Sequence, residues 1–244
     1  MSTDNAASRL LQILIKGREI APETDASVAW LLLFELNASM PNYKSLQMSK
    51  LGQVMLLPYE TRLLMQQHYP SLLESVDYSL NQVQTAFASQ NLSGSWSTFI
   101  NFIDSHCISA LSMVTKLLDH ELKTQLIPDE KIINLKSDVN KILDETISSD
   151  LTSDFKRFMV HYLQKILNAI NDYLISGAMP ILDAIESTLG HAVLDPSFRH
   201  ELADTSTGKN ISKVLSDMAN VVTIATAATG AALYLSTNGI PLIS

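Results

Sequence analysis

Apolar residues recur at helical spacing along most of the chain. The pattern is clearest in residues 153–174, where apolar side chains share one face and lysine, arginine, glutamine and asparagine share the other. A second amphipathic stretch places its apolar residues at steps of three and four, at Leu73, Val76, Leu80, Val83 and Phe87. No convincing strand alternation and no hairpin dipeptide between β-branched runs is present. The pattern predicts an all-α fold, a multi-helix bundle of about nine to eleven helices.

Glycine and proline residues mark the expected ends of several helices. Gly17 fits the C-terminal cap of the first helix. Pro58 and Pro70 each predict that a helix stops just before them, because the residue preceding a proline disfavours helical geometry. Gly190 likewise predicts the end of a helix that begins near Pro180.

Composition along the chain predicts three segments. Residues 1–203 are expected to form a helical bundle domain, which can divide into two subdomains near residues 89–97. Residues 204–210, Asp-Thr-Ser-Thr-Gly-Lys-Asn, have the composition of a linker. Residues 211–244 are expected to form a hydrophobic C-terminal helix and tail.

Composition and charge narrow the function classes. Apolar residues make up 46% of the 244 residues and charged residues only 17%, so the chain is too hydrophobic for an intrinsically disordered protein. The formal net charge of -8, with no cluster of lysine and arginine, argues against a nucleic-acid-binding surface. A single cysteine, Cys107, excludes an intrachain disulfide and suits a reducing, cytoplasmic location.

The C-terminal segment allows two interpretations. No charged side chain follows Asp217, and residues 218–235 approach the ~20-residue length of a membrane span. Lys209 and Lys213 precede the segment, as expected for an anchor at the cytoplasmic face of a membrane. Threonine, asparagine and alanine dilute its hydrophobicity, so the alternative is a core helix. The candidate membrane or helix-packing positions are Val221, Val222, Ile224, Ala227, Ala228, Ala231, Ala232, Leu233 and Leu235.

The chain offers few candidates for chemistry. None of its six histidines pairs with another histidine or a carboxylate at zinc-ligand or di-iron spacing, so we expect no metal site and no cofactor. His106 adjoins Cys107, but neighbouring residues on a helix point about 100° apart, which favours a small buried cysteine over a catalytic pair. Gly208-Lys209 resembles the end of a phosphate-binding P-loop, but the first glycine of that motif is missing and no strand precedes it.

One spacing matches a known class of helical enzyme. Arg62 and His68 enclose five residues, in the run Arg62-Leu63-Leu64-Met65-Gln66-Gln67-His68. This arrangement resembles the HEPN ribonucleases, which are helical bundles with an arginine and a histidine at such a spacing. The resemblance implies that His68 acts as a general base and that Arg62 stabilises phosphoryl charge. The chain departs from the family pattern at Leu63, because a polar residue often follows the arginine.

Three function hypotheses follow. The leading one is a non-enzymatic helical protein-interaction module, held at a membrane if the C-terminal helix is an anchor, such as an immunity or defence-system accessory subunit. It is based on the lack of a catalytic motif in a large helical domain, and it implies a protein partner or self-association, with no nucleic acid bound. The alternatives are a membrane-permeabilising effector that acts through its C-terminal helix, and a HEPN-like ribonuclease that uses Arg62 and His68.

Overall fold

A computed structural model describes residues 4–226 of the chain. These residues form twelve α-helices, two of them only four residues long, and the one β-pairing among them is an isolated bridge between Asp25 and Ser95. The all-α, multi-helix fold that the periodicity predicts is therefore confirmed. The described helices form two compact units, residues 4–123 and residues 124–226.

The first unit contains six α-helices and a short 3₁₀ turn. The side chains of Asn5, Asp25 and Asp104 each accept a hydrogen bond from a backbone N–H in the first turn of a helix, which fixes where three of these helices begin. The elements are α1 (Ala6–Arg18), α2 (Ala26–Leu33), α3 (Tyr43–His68), the 3₁₀ turn (Pro70–Leu72), α4 (Leu73–Ser89), α5 (Ser97–Ile100) and α6 (Ser105–Leu122).

Two tryptophans form the centre of the first unit. Trp30 of α2 and Trp96, just before α5, are completely buried, and their ring centroids lie 5.0 Å apart in an edge-to-face arrangement. Phe87 and Phe99 pack on the same rings. The indole N–H of Trp96 donates a hydrogen bond of 2.8 Å to the carbonyl oxygen of Gly17, which ties the loop before α5 to the end of α1. A Cβ at Gly17 would lie 3.1 Å from the Trp96 ring, so glycine makes this contact possible.

Helix α3 continues through Pro58, where the sequence predicts a helix end. That prediction was wrong, because one helix of 26 residues runs from Tyr43 to His68. Proline lacks the N–H that would bond the carbonyl oxygen of Val54, so the helix loses one hydrogen bond at this turn. Pro58 is buried, and α3 packs on α1 and α4. This packing favours the continuous helix over the local preference. The predicted stop before Pro70 is confirmed.

The second unit contains the remaining six α-helices. Helix α8 contacts α7 and α10, and its apolar face is buried as the periodicity predicts. Helix α10 runs through Gly190, where the sequence predicts an end, because the flanking residues Thr188 and Ala192 are buried in the core. The elements are α7 (Asp129–Ser148), α8 (Ser153–Asn171), α9 (Tyr173–Ser176), α10 (Met179–Leu194), α11 (Pro196–Asp204) and α12 (Ser206–Thr226).

The boundary between the two units follows α6. It falls between Lys123 and Thr124, where Lys123 has a left-handed φ of 50° that ends the helix. Residues 89–97, the predicted place for a subdomain boundary, lie inside the first unit instead, because Trp96 is buried in its core.

Residues 204–210 correct the linker prediction. Helix α11 ends at Asp204 and α12 begins at Ser206, so only Thr205 separates the two helices. The Thr205 hydroxyl donates to the carbonyl oxygen of Glu201 at 2.6 Å and accepts from the N–H of Gly208 at 2.9 Å. The small polar residues that give this stretch a linker composition are therefore cap and first-turn residues of a helix.

Helices α11 and α12 touch backbone to backbone at Gly208. A Cβ at this position would lie 2.1 Å from the carbonyl oxygen of Glu201 and 2.7 Å from that of Leu202. The Ser212 hydroxyl, one turn further along α12, donates to the same Leu202 oxygen at 3.3 Å. Only glycine permits so close an approach of two backbones.

The hydrophobic C-terminal segment begins as part of a core helix. Of its candidate positions, Val222 is buried, Val221 packs partly buried against the core and Ile224 is 66% exposed. None of the helices within residues 4–226 combines the length and the hydrophobicity that a membrane span needs. The other candidate positions lie outside the described residues: Ala227, Ala228, Ala231, Ala232, Leu233 and Leu235.

Replacing Gly208 with alanine should destabilise the second unit. The added methyl group would overlap two backbone carbonyls, and overpacking of this kind costs about 1–3 kcal/mol. Gly190→Ala is the matched control, because beyond the adjacent backbone of α10 itself nothing among residues 4–226 lies within 4 Å of its Cβ position. Alanine there should raise the free energy of unfolding by about 0.5–1 kcal/mol. Guanidinium denaturation followed by circular dichroism measures both. Equal effects of the two substitutions would contradict the close backbone contact.

Candidate functional site

Arg62 connects α3 to the polar face of α4. Its Nε donates a hydrogen bond to Oδ1 of Asp77 at 2.7 Å, and its Nη2 donates to Oδ1 of Asn81 at 2.8 Å. Its Nη1 lies 3.4 Å from Oε1 of Gln84. The three acceptors follow one another at helical spacing, so α4 presents them together. The guanidinium, which belongs to a side chain only 23% exposed, is thus bound by groups of its own unit.

His68 lies apart from Arg62 despite their closeness in sequence. Both residues are on α3, and six helical steps separate them by about 9 Å along the axis and about 120° around it. Arg62 contacts α4, whereas His68 is the last residue of α3 and lies close enough to Glu121 of α6 to contribute to lowering the pKa of that carboxyl group. The chain does not bring this arginine and histidine to one point, so the HEPN-like hypothesis gains no support from the geometry.

A polar cluster lies at the end of α3. The Tyr69 hydroxyl has two acceptors for its one proton, the carbonyl oxygen of Leu117 at 3.1 Å and Oε1 of Glu121 at 3.2 Å. Nδ1 of His120 lies 3.3 Å from the same carboxylate oxygen. Hydrogen bonds from His120 and Tyr69 hold the pKa of Glu121 below its usual value. Desolvation and the neighbouring Glu121 charge raise the pKa of Tyr69. These groups join α3 to α6 and include no activated nucleophile.

Cys107 is shielded from solvent and from His106. The thiol is completely buried, and Sγ lies 3.7 Å from the carbonyl oxygen of Ser79. Burial, with a smaller contribution from the Asp104 carboxylate, raises the pKa of the thiol to about 11. His106 is exposed on α6, so the two side chains point in different directions, as their adjacency on a helix predicts. This cysteine is a core residue.

His191 lies in an aromatic cluster of the second unit. Its ring centroid is 4.5 Å from that of Phe158, 4.7 Å from that of Phe198 and 5.5 Å from that of Tyr162. Asp195 Oδ2 is 3.8 Å from His191 Nε2, at the edge of salt-bridge distance. Within the described part of the chain, no three histidine, cysteine, aspartate or glutamate side chains are arranged to hold a metal ion. Packing accounts for this histidine.

One face of α3 is apolar and open to solvent. At about 100° per residue, its side chains fall within about 100° of arc, opposite the face that packs on α1 and α4. Each of the large side chains on it is between 42% and 54% exposed. We call this surface the α3 stripe, and it consists of Met48, Gly52, Met55, Leu56, Tyr59 and Leu63.

Gly52 lies in the middle of the α3 stripe, and no contact within the described residues explains why this position is a glycine. Glycine in a helix interior costs about 1 kcal/mol relative to alanine. Apart from its chain neighbours and the adjacent backbone of α3 itself, no atom of residues 4–226 lies within 4 Å of its Cβ position, so no contact among these residues requires a glycine here. A residue without a side chain on an exposed apolar helix face allows the backbone of another molecule to approach closely.

The sequence carried a signal for the α3 stripe that the periodicity analysis did not use. Within residues 46–65, apolar side chains occur on opposite faces of the helix, so this region lacks the polar face that α4 and α8 have. An apolar helix of this kind is fully buried or has a face available for binding, and the sequence cannot separate the two. The predicted break at Pro58 further obscured the pattern, because it divided the stripe between two helices.

Comparison with models of protein families, with curated proteins and with solved structures found no match to this chain. Function must therefore be argued from the geometry of the chain itself.

The substitution Arg62→Gln should lower the free energy of unfolding of the first unit by about 1–2 kcal/mol. It removes charged hydrogen bonds between α3 and α4, and the partial exposure of Asp77 reduces their contribution. His68→Gln should change the stability by less than about 0.5 kcal/mol, because no comparable bonds are lost. Urea denaturation of the two variants compares them directly. A stability loss that is equal in both would contradict the structural role of Arg62.

Cys107 should react very slowly with Ellman's reagent in the folded protein. With a pKa of about 11, only about one thiol in a thousand is ionised at pH 8, and burial blocks access to it. We expect a rate at least about 100-fold lower than for the same protein in denaturing guanidinium. Rapid labelling under native conditions would show that the thiol is accessible and would reopen the Cys–His interpretation.

Proposed function

We propose that this chain is a non-enzymatic protein-interaction module that binds a partner protein through the α3 stripe. The observation that supports the proposal is the stripe itself, because five large apolar side chains are each at least 42% exposed along about four turns of one helix. Soluble proteins rarely leave apolar side chains exposed in one continuous patch unless the patch binds something.

The chemistry of the α3 stripe defines the kind of partner it fits. The stripe carries no charge, so binding would be driven by burial of apolar area rather than by ion pairs. Met48 and Met55 have flexible side chains that adapt to a partner surface. Gly52 permits close approach at the centre, as small residues do where helices pack. The partner we propose is an apolar or amphipathic α-helix of another protein.

The narrower role proposed for the module is that of an immunity or defence-system accessory subunit. Such a subunit works by holding a cognate protein, which requires a binding face and no catalytic groups. Association with a membrane would depend on residues 227–235, beyond the described part of the chain. The α3 stripe supports the partner-binding part of this proposal independently of any membrane.

Photocrosslinking in the source cells tests the proposal. Benzoylphenylalanine is placed at Met55 in the α3 stripe, and at Ile133, a 66% exposed apolar residue of α7, as the control. We expect a specific crosslinked protein at Met55 and none at Ile133. Mass spectrometry identifies the crosslinked protein, and a product of twice the chain mass would indicate a second copy.

Leucine substitutions at two exposed glycines then separate binding from folding. Gly52→Leu fills the centre of the stripe, whereas Gly190→Leu makes the same change on α10; both Cβ positions are open. Both variants should fold at least as stably as the parent, because leucine favours helix over glycine. Only Gly52→Leu should weaken the complex, by about 30-fold, as for an interface hot spot. Crosslinking that is unchanged by Gly52→Leu would refute the proposal.

A further inference from the structure

A cavity of about 530 Å³ lies between α11 and α12 and opens to solvent. This volume falls within the range of small-molecule binding sites. Its apolar lining residues are Pro196 and Ala203, together with Leu202, whose side chain is itself buried in the core. The remaining lining residues are polar or charged: Arg199, His200, Asp204, Lys209 and Ser212. All the lining residues named here belong to the second unit, and none of them is part of the α3 stripe.

Two lining cations have no anionic partner among residues 4–226. The side chains of Arg199 and Lys209 take part in no hydrogen bond and no ion pair there, although Arg199 is partly buried. Asp204, the carboxylate that lines the cavity, is bound instead to Nδ1 of His200 at 2.5 Å. The cavity therefore presents an unpaired guanidinium and an unpaired ammonium in a protein whose net charge is -8.

The walls of the cavity are held in place before any ligand binds. The Gly208 backbone lies against the carbonyls of Glu201 and Leu202, where even a Cβ would overlap them. The Thr205 hydroxyl makes hydrogen bonds to both helices, to the carbonyl oxygen of Glu201 in α11 and to the N–H of Gly208 in α12. Helices α11 and α12 therefore cannot separate or slide without breaking these contacts. A preformed site loses little conformational entropy when it takes up a ligand.

We propose that this cavity binds a small phosphate-bearing molecule. The Arg199 guanidinium offers a planar pair of donors that matches two phosphate oxygens, and the Lys209 ammonium adds a second positive charge. A phosphate monoester carries close to two negative charges at neutral pH, which two cations balance better than they balance a single carboxylate. The organic part of the ligand lies against Pro196 and Ala203.

Titration calorimetry on the full chain at low salt tests the proposal. The probes are inorganic pyrophosphate, adenosine monophosphate and uncharged adenosine. We expect saturable binding of the two phosphates, no binding of adenosine, and weaker binding as salt is added. Vesicles of phosphatidylcholine with and without phosphatidic acid form a separate arm, which distinguishes a lipid phosphate from a soluble one.

Charge-removing variants identify the cavity as the site. Arg199→Gln and Lys209→Gln should each weaken phosphate binding about 10- to 100-fold, as expected for loss of a hydrogen bond to a charged group. Lys213→Gln is the control, because Lys213 is an exposed lysine of the same helix that does not line the cavity. Lys209 is itself exposed, so its replacement should leave folding intact.

Binding that Lys209→Gln weakens and Lys213→Gln does not would support the site, whether the phosphate is soluble or in a vesicle. The proposal is overturned if neither soluble phosphates nor phosphatidic acid vesicles bind the parent protein. It is also overturned if the three variants bind equally, since the phosphate would then be attracted by general surface charge.

Discussion

The burial of Trp30 and Trp96 is the interaction on which the first unit depends. These two side chains come from separate segments of the chain, and their contact holds α2 and the loop before α5 against the end of α1. Indoles remove large apolar areas from water, and each N–H here has a partner, Gly17 for Trp96 and Gln90 for Trp30. With α1 and α4 placed around this centre, α3 packs on both and keeps its opposite face in solvent.

Helix α3 shows how packing gives two faces of one apolar helix different roles. The face that carries Leu51 and Val54 is buried in the core, whereas the α3 stripe faces water at an energetic cost. Arg62 lies beside the stripe, and its hydrogen bonds to Asp77 and Asn81 compensate the positive charge of the guanidinium where α3 meets α4. Helix packing thereby accounts for an arginine whose spacing to His68 resembles that of a catalytic pair. The surface of this unit that is available for binding is the apolar α3 stripe.

The second unit depends on a different constraint, the backbone contact at Gly208. Because this glycine brings the start of α12 onto the end of α11, the rest of α12 lies along the core, with Leu215 and Val222 buried. That position explains why no charged residue lies between Asp217 and the end of α12 at Thr226: a helix that packs on α7 and α10 needs apolar side chains there. The same contact shapes the cavity between α11 and α12, so one small residue determines both the core and the candidate ligand site.

The sequence by itself determined the helical class, the amphipathic faces of α4 and α8, and the helix end before Pro70, because helical periodicity and the backbone restriction before proline depend only on neighbouring residues. Only the tertiary structure decided that α3 passes through Pro58 and that Thr205 and Gly208 join two helices rather than link two domains. It also decided which apolar face of α3 stays exposed. These outcomes depend on contacts between residues distant in sequence, whose packing free energy outweighs the local preferences of proline, glycine and small polar residues.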